Sequence, residues 1–173
     1  MSESIQGFKR SCYCGEVTTE HIGQELVLMG WTHRRRDHGG VIFIDLRDRE
    51  GIVQIVIDPA IGEELFSKAE TIRNEFVLAI KGKVRPRPAG SENPNLKTGA
   101  VEVLASDVRI LSKSKTPPFY IEDNVDVDES IRLKYRYLDI RRPEILNCLK
   151  LRSKANKIIR DYFERHNFLE VET

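Results

Sequence analysis

Long apolar segments are missing from this sequence of 173 residues. Hydrophobic residues make up 40% of it and charged residues 32%, and no apolar run approaches the roughly 20 residues that a membrane-spanning helix needs. The first eleven residues also lack the positively charged and then apolar layout of a secretory signal. We therefore expect a soluble, globular, cytoplasmic protein with no membrane partner.

Cysteine is scarce, and its spacing argues against a metal site. Cys12 and Cys14 are separated by one residue, and no Cys or His pair at structural-zinc spacing follows them. Cys148 falls within a helical pattern, where we expect a small buried side chain. The three cysteines are therefore interpreted as thiols, and no metal or cofactor is expected within these residues.

Signatures of catalysis are missing as well. The sequence has no nucleophile and base at a recognisable spacing and no Gly-rich phosphate loop. Its four histidines are scattered, and each is better explained as solvated or structural. One alternative is that the chain is a complete small enzyme. These absences argue against it.

An excess of positive charge is also missing, since the net charge is +1. This excludes a uniformly basic nucleic-acid binder but not one whose positive charge is concentrated locally. Arg34, Arg35 and Arg36 are contiguous, and a second basic segment alternates through Lys81, Lys83, Arg85 and Arg87. A lone basic cluster is more often a solvated face than a binding site, so charge alone does not decide the function.

Five short β-like runs separated by turn residues make up most of the sequence. Between the third and the fourth, Pro59 to Ile72 has apolar residues at helical spacing after Asp58, a plausible N-cap. This order predicts a mainly β fold: a five-stranded OB-fold Greek-key barrel with one helix between strands 3 and 4, followed by a linker and a C-terminal helix. The predicted strands are Leu26 to Arg34, Val41 to Arg47, Gly51 to Ile57, Phe76 to Arg87 and Val101 to Leu111.

Turn signals connect these strands. His38-Gly39-Gly40 is expected to join the first two, and Arg49-Glu50-Gly51 the next two. Pro88 to Thr98, which contains Gly90, predicts a longer loop between strands 4 and 5.

Three regions follow from this pattern: an OB domain at 1–112, a polar, proline-bearing linker or hinge at 113–142, and a helical region at 143–173. Pro143 suits the first position of a helix, and an apolar stripe runs along Glu144 to His166. Asn167 suits a left-handed helix end, and Phe168 to Thr173 is interpreted as the start of a strand. A helix and a strand of this kind need a sheet to cover them, so we expect the natural sequence to continue.

Alternation along the strands predicts which side chains face outward. In the second strand Ile42, Ile44 and Leu46 form the inward set, which leaves Phe43 facing out; Gln54 and Glu102 are expected to face out from strands 3 and 5. Trp31 is expected in the core.

An outward aromatic ring near an amide, a carboxylate and arginines is the composition of a single-stranded RNA reader. Each residue alone could be ordinary surface. A general single-strand-binding OB protein therefore remains the second alternative, and it predicts an affinity that scales with strand length.

Three blocks of this sequence resemble a known family. Gly30 to Gly51 closely resembles the anticodon-binding domain of bacterial-type, class IIb aspartyl-tRNA synthetases. Arg132 to Pro143 resembles the hinge of that family, and Phe168 to Thr173 resembles the opening of class II motif 1.

The resemblance implies roles for individual residues. Phe43 matches the aromatic residue that stacks on the central uridine of the anticodon, and Gln54, Arg36 and Glu102 match residues that contact anticodon bases. Arg34 and Arg87 match basic positions near the anticodon loop. The implied partner is tRNA(Asp), with no role for DNA.

The resemblance also implies a larger enzyme. The full-length protein would be a homodimeric aspartate–tRNA ligase that uses ATP and Mg²⁺, bound on motifs 2 and 3. Those motifs lie beyond Thr173, so residues 1–173 are expected to be catalytically inactive.

His38 and Gly90 resemble the residues found in family members that charge both tRNA(Asp) and tRNA(Asn). The two anticodons differ only in their third base, and His can donate or accept a hydrogen bond where Gly leaves space. A bulky apolar residue such as Leu at position 38 would instead reject one base. The alternative is that both are ordinary turn residues.

Overall fold

The computed structural model describes residues 2–172, except for the side chain of Ile61. The chain divides into two compact units, Met1–Pro117 and Pro118–Thr173. Each is described by itself.

The first unit is a closed five-stranded barrel. Its strands are β1 (Glu25–His38), β2 (Val41–Arg47), β3 (Ile52–Ile57), β4 (Val77–Pro86) and β5 (Val101–Ser112). They pair in the order β1-β2-β3-β5-β4, and β4 closes on β1. Only β3 and β5 are parallel among the described strand pairs. The predicted OB-fold is confirmed.

The helical insertion lies between β3 and β4, as predicted, but it is not one continuous helix. A 3-10 turn at Pro59–Ile61 is followed by α1 at Glu63–Glu70, and Gly62 separates them with a φ of 115°. Asp58 caps the first turn, where its Oδ1 accepts from the Ala60 amide at 2.8 Å. A backbone conformation favoured by glycine therefore divides the predicted helix.

The barrel interior follows the predicted alternation. Leu28, Ile44, Leu46 and Ile55 are fully buried in one hydrophobic cluster. Trp31 is only half-buried and lies outside that cluster, so its assignment to the core was wrong. It alternates with Leu26 and Leu28, which belong to the interior cluster, whereas Val27, Met29 and Trp31 do not.

A β-bulge changes the end of β1. The pairing with β2 shifts register between Thr32 and Arg34, and the strand then continues to His38 instead of ending at Arg34. The three arginines and His38 therefore lie in the strand, and the turn consists of Gly39 and Gly40 alone. Their φ values of 60° and 77° fit a two-residue hairpin turn that requires positive φ at both positions.

The second unit is helical, with α2 (Glu129–Lys134), α3 (Arg136–Asp139) and α4 (Pro143–Arg165). The short helices α2 and α3 were not predicted. They place Leu138 in a small apolar cluster with Phe119 and Ile121.

Helix α4 begins at Pro143 as predicted, but none of its residues is buried. Cys148 is exposed, so the expectation that it is a buried side chain was wrong. Asn167 has the expected left-handed φ of 61°. Residues 168–172 form no strand, and Thr173 lies outside the described residues.

Among residues 2–172, none of the helices is both long and apolar enough to span a membrane.

Candidate nucleic-acid interface

The outward faces of adjacent strands bring the predicted site residues together. Arg36 lies opposite Phe43, and Asp45 lies opposite Gln54. In the β4–β5 pair, Arg85 lies opposite Glu102. Strand register therefore places the Phe43 ring opposite Arg36, with Asp45 two residues further along the same face of β2 and Gln54 opposite Asp45.

Five polar side chains form a hydrogen-bonded set, which we call the polar network: Arg36, Asp45, Gln54, Arg85 and Glu102. Arg36 Nη2 donates to Asp45 Oδ1 at 2.7 Å and to Gln54 Oε1 at 3.4 Å. Gln54 Nε2 donates to Glu102 Oε2 at 2.9 Å, and Arg85 Nε donates to Glu102 Oε1 at 2.8 Å.

Burial within the polar network is uneven. Glu102 is only 2% exposed and Gln54 8%, so the expectation that both stand open on the surface was wrong. The side chains of Arg36 and Arg85 are each 44% exposed. The arginines therefore occupy the solvent side of the network, and the amide and carboxylate lie beneath.

Phe43 is half-buried on the same outer face, between Arg36 on β1 and Val56 on β3. An aromatic ring in this position offers a stacking surface for a base.

Arg87 lies next to the polar network at the start of the β4–β5 loop. Its Nε donates to the Val101 carbonyl at 3.2 Å and its Nη1 to the Ser91 carbonyl at 3.5 Å, while its buried Nη2 has no partner among the described residues. Burial lowers the pKa of the guanidinium, against the opposing charges of Glu102 and Asp45. A buried donor without an acceptor is costly, and it could donate to a ligand.

The remaining predicted residues lie on β1 and in the β4–β5 loop. Arg34 is exposed opposite Asp45, and His38 is exposed at the end of β1 opposite Val41. Gly90 is exposed in the β4–β5 loop with a φ of 82°, and a Cβ added to it would meet no neighbouring group within 4 Å.

The β4–β5 loop is organised by its own backbone. The Asn93 amide donates to the Gly99 carbonyl at 3.1 Å and the Leu96 amide to the Asn93 carbonyl at 3.1 Å. Thr98 Oγ1 donates to the Ile52 carbonyl at 2.6 Å and fixes the loop to β3. The loop is therefore preorganised beside the polar network.

Sequence reasoning gave no role to Asp45 or Arg85. Both could have been found from strand register, because Asp45 belongs to the outward set of β2 and Arg85 lies directly opposite Glu102. What the sequence alone does not show is that register.

Comparison with known proteins is consistent with this geometry. Residues 26–111 match the family of OB-fold nucleic acid binding domains, and residues 128–173 match the class II tRNA synthetases (D, K and N). The aspartate–tRNA(Asp/Asn) ligase of Heliobacterium modesticaldum is 56% identical over the whole chain, which spans 29% of the length of that relative.

Two solved structures are also similar. An asparaginyl-tRNA synthetase from Pyrococcus horikoshii complexed with asparaginyl-adenylate has a TM-score of 0.79 and 27% identity, over 95% of this chain and 36% of that one. An aspartyl-tRNA synthetase from Entamoeba histolytica has a TM-score of 0.84 over 97% of this chain and 40% of that one; at 18% identity it supports the fold alone.

Proposed function

Because the chain belongs to the aspartyl-tRNA synthetase family, as an N-terminal part of it, we propose that it reads the anticodon of a transfer RNA. The observation that carries the proposal is the stacking ring of Phe43 beside the polar network. Single-stranded RNA loops are read by this combination, in which a base stacks on an aromatic ring while polar groups pair with its edge.

Each residue then has a proposed role. Phe43 stacks on the central base of the anticodon, and Gln54 and Arg36 pair with base edges. Glu102 contributes to base recognition indirectly, by accepting a hydrogen bond from Gln54 Nε2 at 2.9 Å. The exposed Arg34 and the unfilled donor of Arg87 hold phosphate or carbonyl oxygens of the loop.

We propose that His38 and Gly90 flank this face and contact the third anticodon base. The curated relative is named for both tRNA(Asp) and tRNA(Asn). We propose that this chain likewise accepts both anticodons, because an exposed His and an unobstructed Gly put no bulky apolar group against either base.

The proposal extends to the longer protein. There the chain would serve an aspartate–tRNA ligase that uses ATP and Mg²⁺. Within residues 2–172 no three His, Cys, Asp or Glu side chains are grouped to hold a metal ion. We propose that other parts of that longer protein bind ATP and Mg²⁺.

Helix α4 supports the homodimer that the resemblance implies. It leaves Leu151 70% exposed and Ile158 58% exposed, and an apolar face of this kind normally lies in an interface. We propose that a second copy covers it. Sedimentation of residues 1–173 should then show concentration-dependent association, which Leu151→Glu should abolish; a monomer at all concentrations would contradict the assignment.

Binding to two RNAs of equal length tests the central proposal. The chain should bind a tRNA(Asp) anticodon stem-loop more tightly than an unstructured strand with the same base composition. A general single-strand-binding OB protein would instead prefer the unstructured strand and would gain affinity as that strand is lengthened.

A further inference from the structure

The β4–β5 loop, residues 87–100, leaves the barrel directly beside the polar network. The last residue pair of the two strands is Pro86 with Val101, and the pair before it is Arg85 with Glu102, two members of the network. The loop also carries Gly90, which we propose contacts the third anticodon base. The way in which this loop is held therefore bears on RNA binding.

Most hydrogen bonds of the loop connect it to itself. The Asn93 amide donates to the Gly99 carbonyl at 3.1 Å, and the Gly99 amide donates to the Leu96 carbonyl at 2.9 Å. A Cβ added to Gly99 would lie 1.8 Å from the Asn93 carbonyl oxygen, so this inner turn closes only around a glycine. These contacts give the loop its shape, but they do not attach it to a neighbouring strand.

Thr98 makes that attachment. Its Oγ1 donates to the carbonyl of Ile52, the first residue of β3, at 2.6 Å, and Thr98 is only 2% exposed. The parallel pairing of β3 with β5 covers Ile55–Val103 and Val56–Leu104, so the hydroxyl reaches β3 before the backbone pairing begins. Because water has almost no access to the Thr98 side chain, solvent cannot replace this hydrogen bond if it is lost.

We infer that Thr98 is a positioning residue, whose hydroxyl holds the β4–β5 loop in its RNA-binding conformation before the RNA arrives. The inference rests on the proposed function, because it takes an anticodon stem-loop as the ligand. The affinity of a protein for a ligand falls in proportion to the fraction of molecules that already have the binding conformation. A loop attached to β3 keeps that fraction high.

A positioning role has its own kinetic signature. If only one molecule in ten had the loop in place, RNA would associate about ten times more slowly, whereas the completed complex would dissociate at its usual rate. Loss of a direct contact mainly speeds dissociation instead. Since Thr98 offers RNA almost no surface, we expect the first behaviour.

Thr98→Val tests the inference, because it keeps the shape of the side chain and removes the donor. Its association rate with a tRNA(Asp) anticodon stem-loop, measured by stopped flow on residues 1–173, should fall at least about fivefold with little change in dissociation. Thr98→Ser keeps the hydroxyl and should restore most of the rate. Thr71→Val is the matched control: Thr71 Oγ1 also donates to a backbone carbonyl, that of Lys68 at 2.7 Å, but lies at the end of α1, and both rates should stay unchanged.

A second readout needs no RNA. In Thr98→Val, the backbone amides of Asn93 and Gly99 should exchange with solvent faster than in the wild-type chain, as measured by NMR, while that of Ile44 in β2 should not. Faster exchange at all three positions would indicate a general loss of stability and would overturn the positioning role. Unchanged exchange at Asn93 and Gly99 would overturn it as well.

The outcomes separate this inference from the proposed function. If the wild-type chain binds no anticodon stem-loop, the proposed function fails and the inference fails with it. If the wild-type chain binds and Thr98→Val associates equally fast, or differs only by faster dissociation, the inference alone fails. Slower association in Thr98→Val, but not in Thr98→Ser or Thr71→Val, is the result that the positioning role requires.

Discussion

Arg47 donates from one guanidinium nitrogen to both carboxylate oxygens of Glu75, at 2.8 and 2.9 Å. Its other terminal nitrogen lies 2.9 Å from His33 Nδ1. Both members of the ion pair are buried, and Glu75 has a φ of 63°, a conformation that is costly for a residue with a side chain. The pair therefore fixes the end of β2 to the segment that leads into β4.

We expect Arg47→Ala to lower the free energy of unfolding by about 3–5 kcal/mol, because it removes the guanidinium that donates to both oxygens of the buried Glu75 carboxylate. Urea denaturation measures this. Arg49→Ala is the matched control: its ion pair with Glu50 is exposed, and such pairs contribute about 0–1 kcal/mol. Equal losses in the two variants would show that the buried pair has no special role.

Glu3 attaches the N-terminal segment to the barrel, and its contribution should depend on pH. Burial raises the pKa of its carboxyl, but the Ile110 amide, Lys68 and Arg109 outweigh that effect and hold the pKa below its usual range. A lowered folded-state pKa means stability that is present above the unfolded pKa and is lost as the pH falls through the folded one.

Glu3→Gln should therefore destabilise the chain at pH 7, and the difference should disappear once the pH is below the lowered folded-state pKa of Glu3. Unfolding curves of both proteins at several pH values would check this. A stability difference that stays constant from pH 7 to pH 3 would contradict the linkage.

At neutral pH, the three thiols should react with an alkylating reagent in a fixed order. Cys148 is exposed, Cys12 is partly buried and Cys14 is fully buried. Burial raises the pKa of both Cys12 and Cys14, with Asp48 raising it further in each case, and a thiol is less reactive than a thiolate. Mass spectrometry should find Cys148 labelled first and Cys14 last; early labelling of Cys14 would contradict the packing of the N-terminal segment.

The period of two along a strand was enough to predict the barrel and to put Phe43 and Gln54 on one face, because alternation is local. It was not enough to predict that Glu102 is buried. That depends on Arg85, 17 residues away, and on the register of β4 with β5, which no local pattern encodes.

Two further differences have equally specific causes. After the bulge between Thr32 and Arg34, β1 stays paired with β2 as far as His38, so His38 lies in the strand and not in the turn. Cys148 lies in a correctly predicted helix, but burial depends on what covers the helix, and the helical period shows only that one face is apolar.

His38→Leu tests the proposed acceptance of two anticodons. The wild-type chain should bind aspartate and asparagine anticodon stem-loops with affinities within about tenfold, or 1.4 kcal/mol. The substitution should weaken binding of the asparagine stem-loop more than binding of the aspartate stem-loop, since a bulky apolar side chain leaves a polar base edge unpaired. A wild-type chain that already prefers the aspartate loop, and a variant that behaves identically, would show that His38 is an ordinary surface residue.

The most direct test of the anticodon-reading surface is the affinity of Phe43→Ala for the tRNA(Asp) anticodon stem-loop. Loss of one base–aromatic stack should weaken binding by about 1–3 kcal/mol. Circular dichroism should show that the variant keeps its fold. Phe168→Ala is the control, because it removes an exposed ring from the second unit and should leave the affinity unchanged. If Phe43→Ala binds the stem-loop as tightly as the wild-type chain does, this face of the barrel does not read the anticodon.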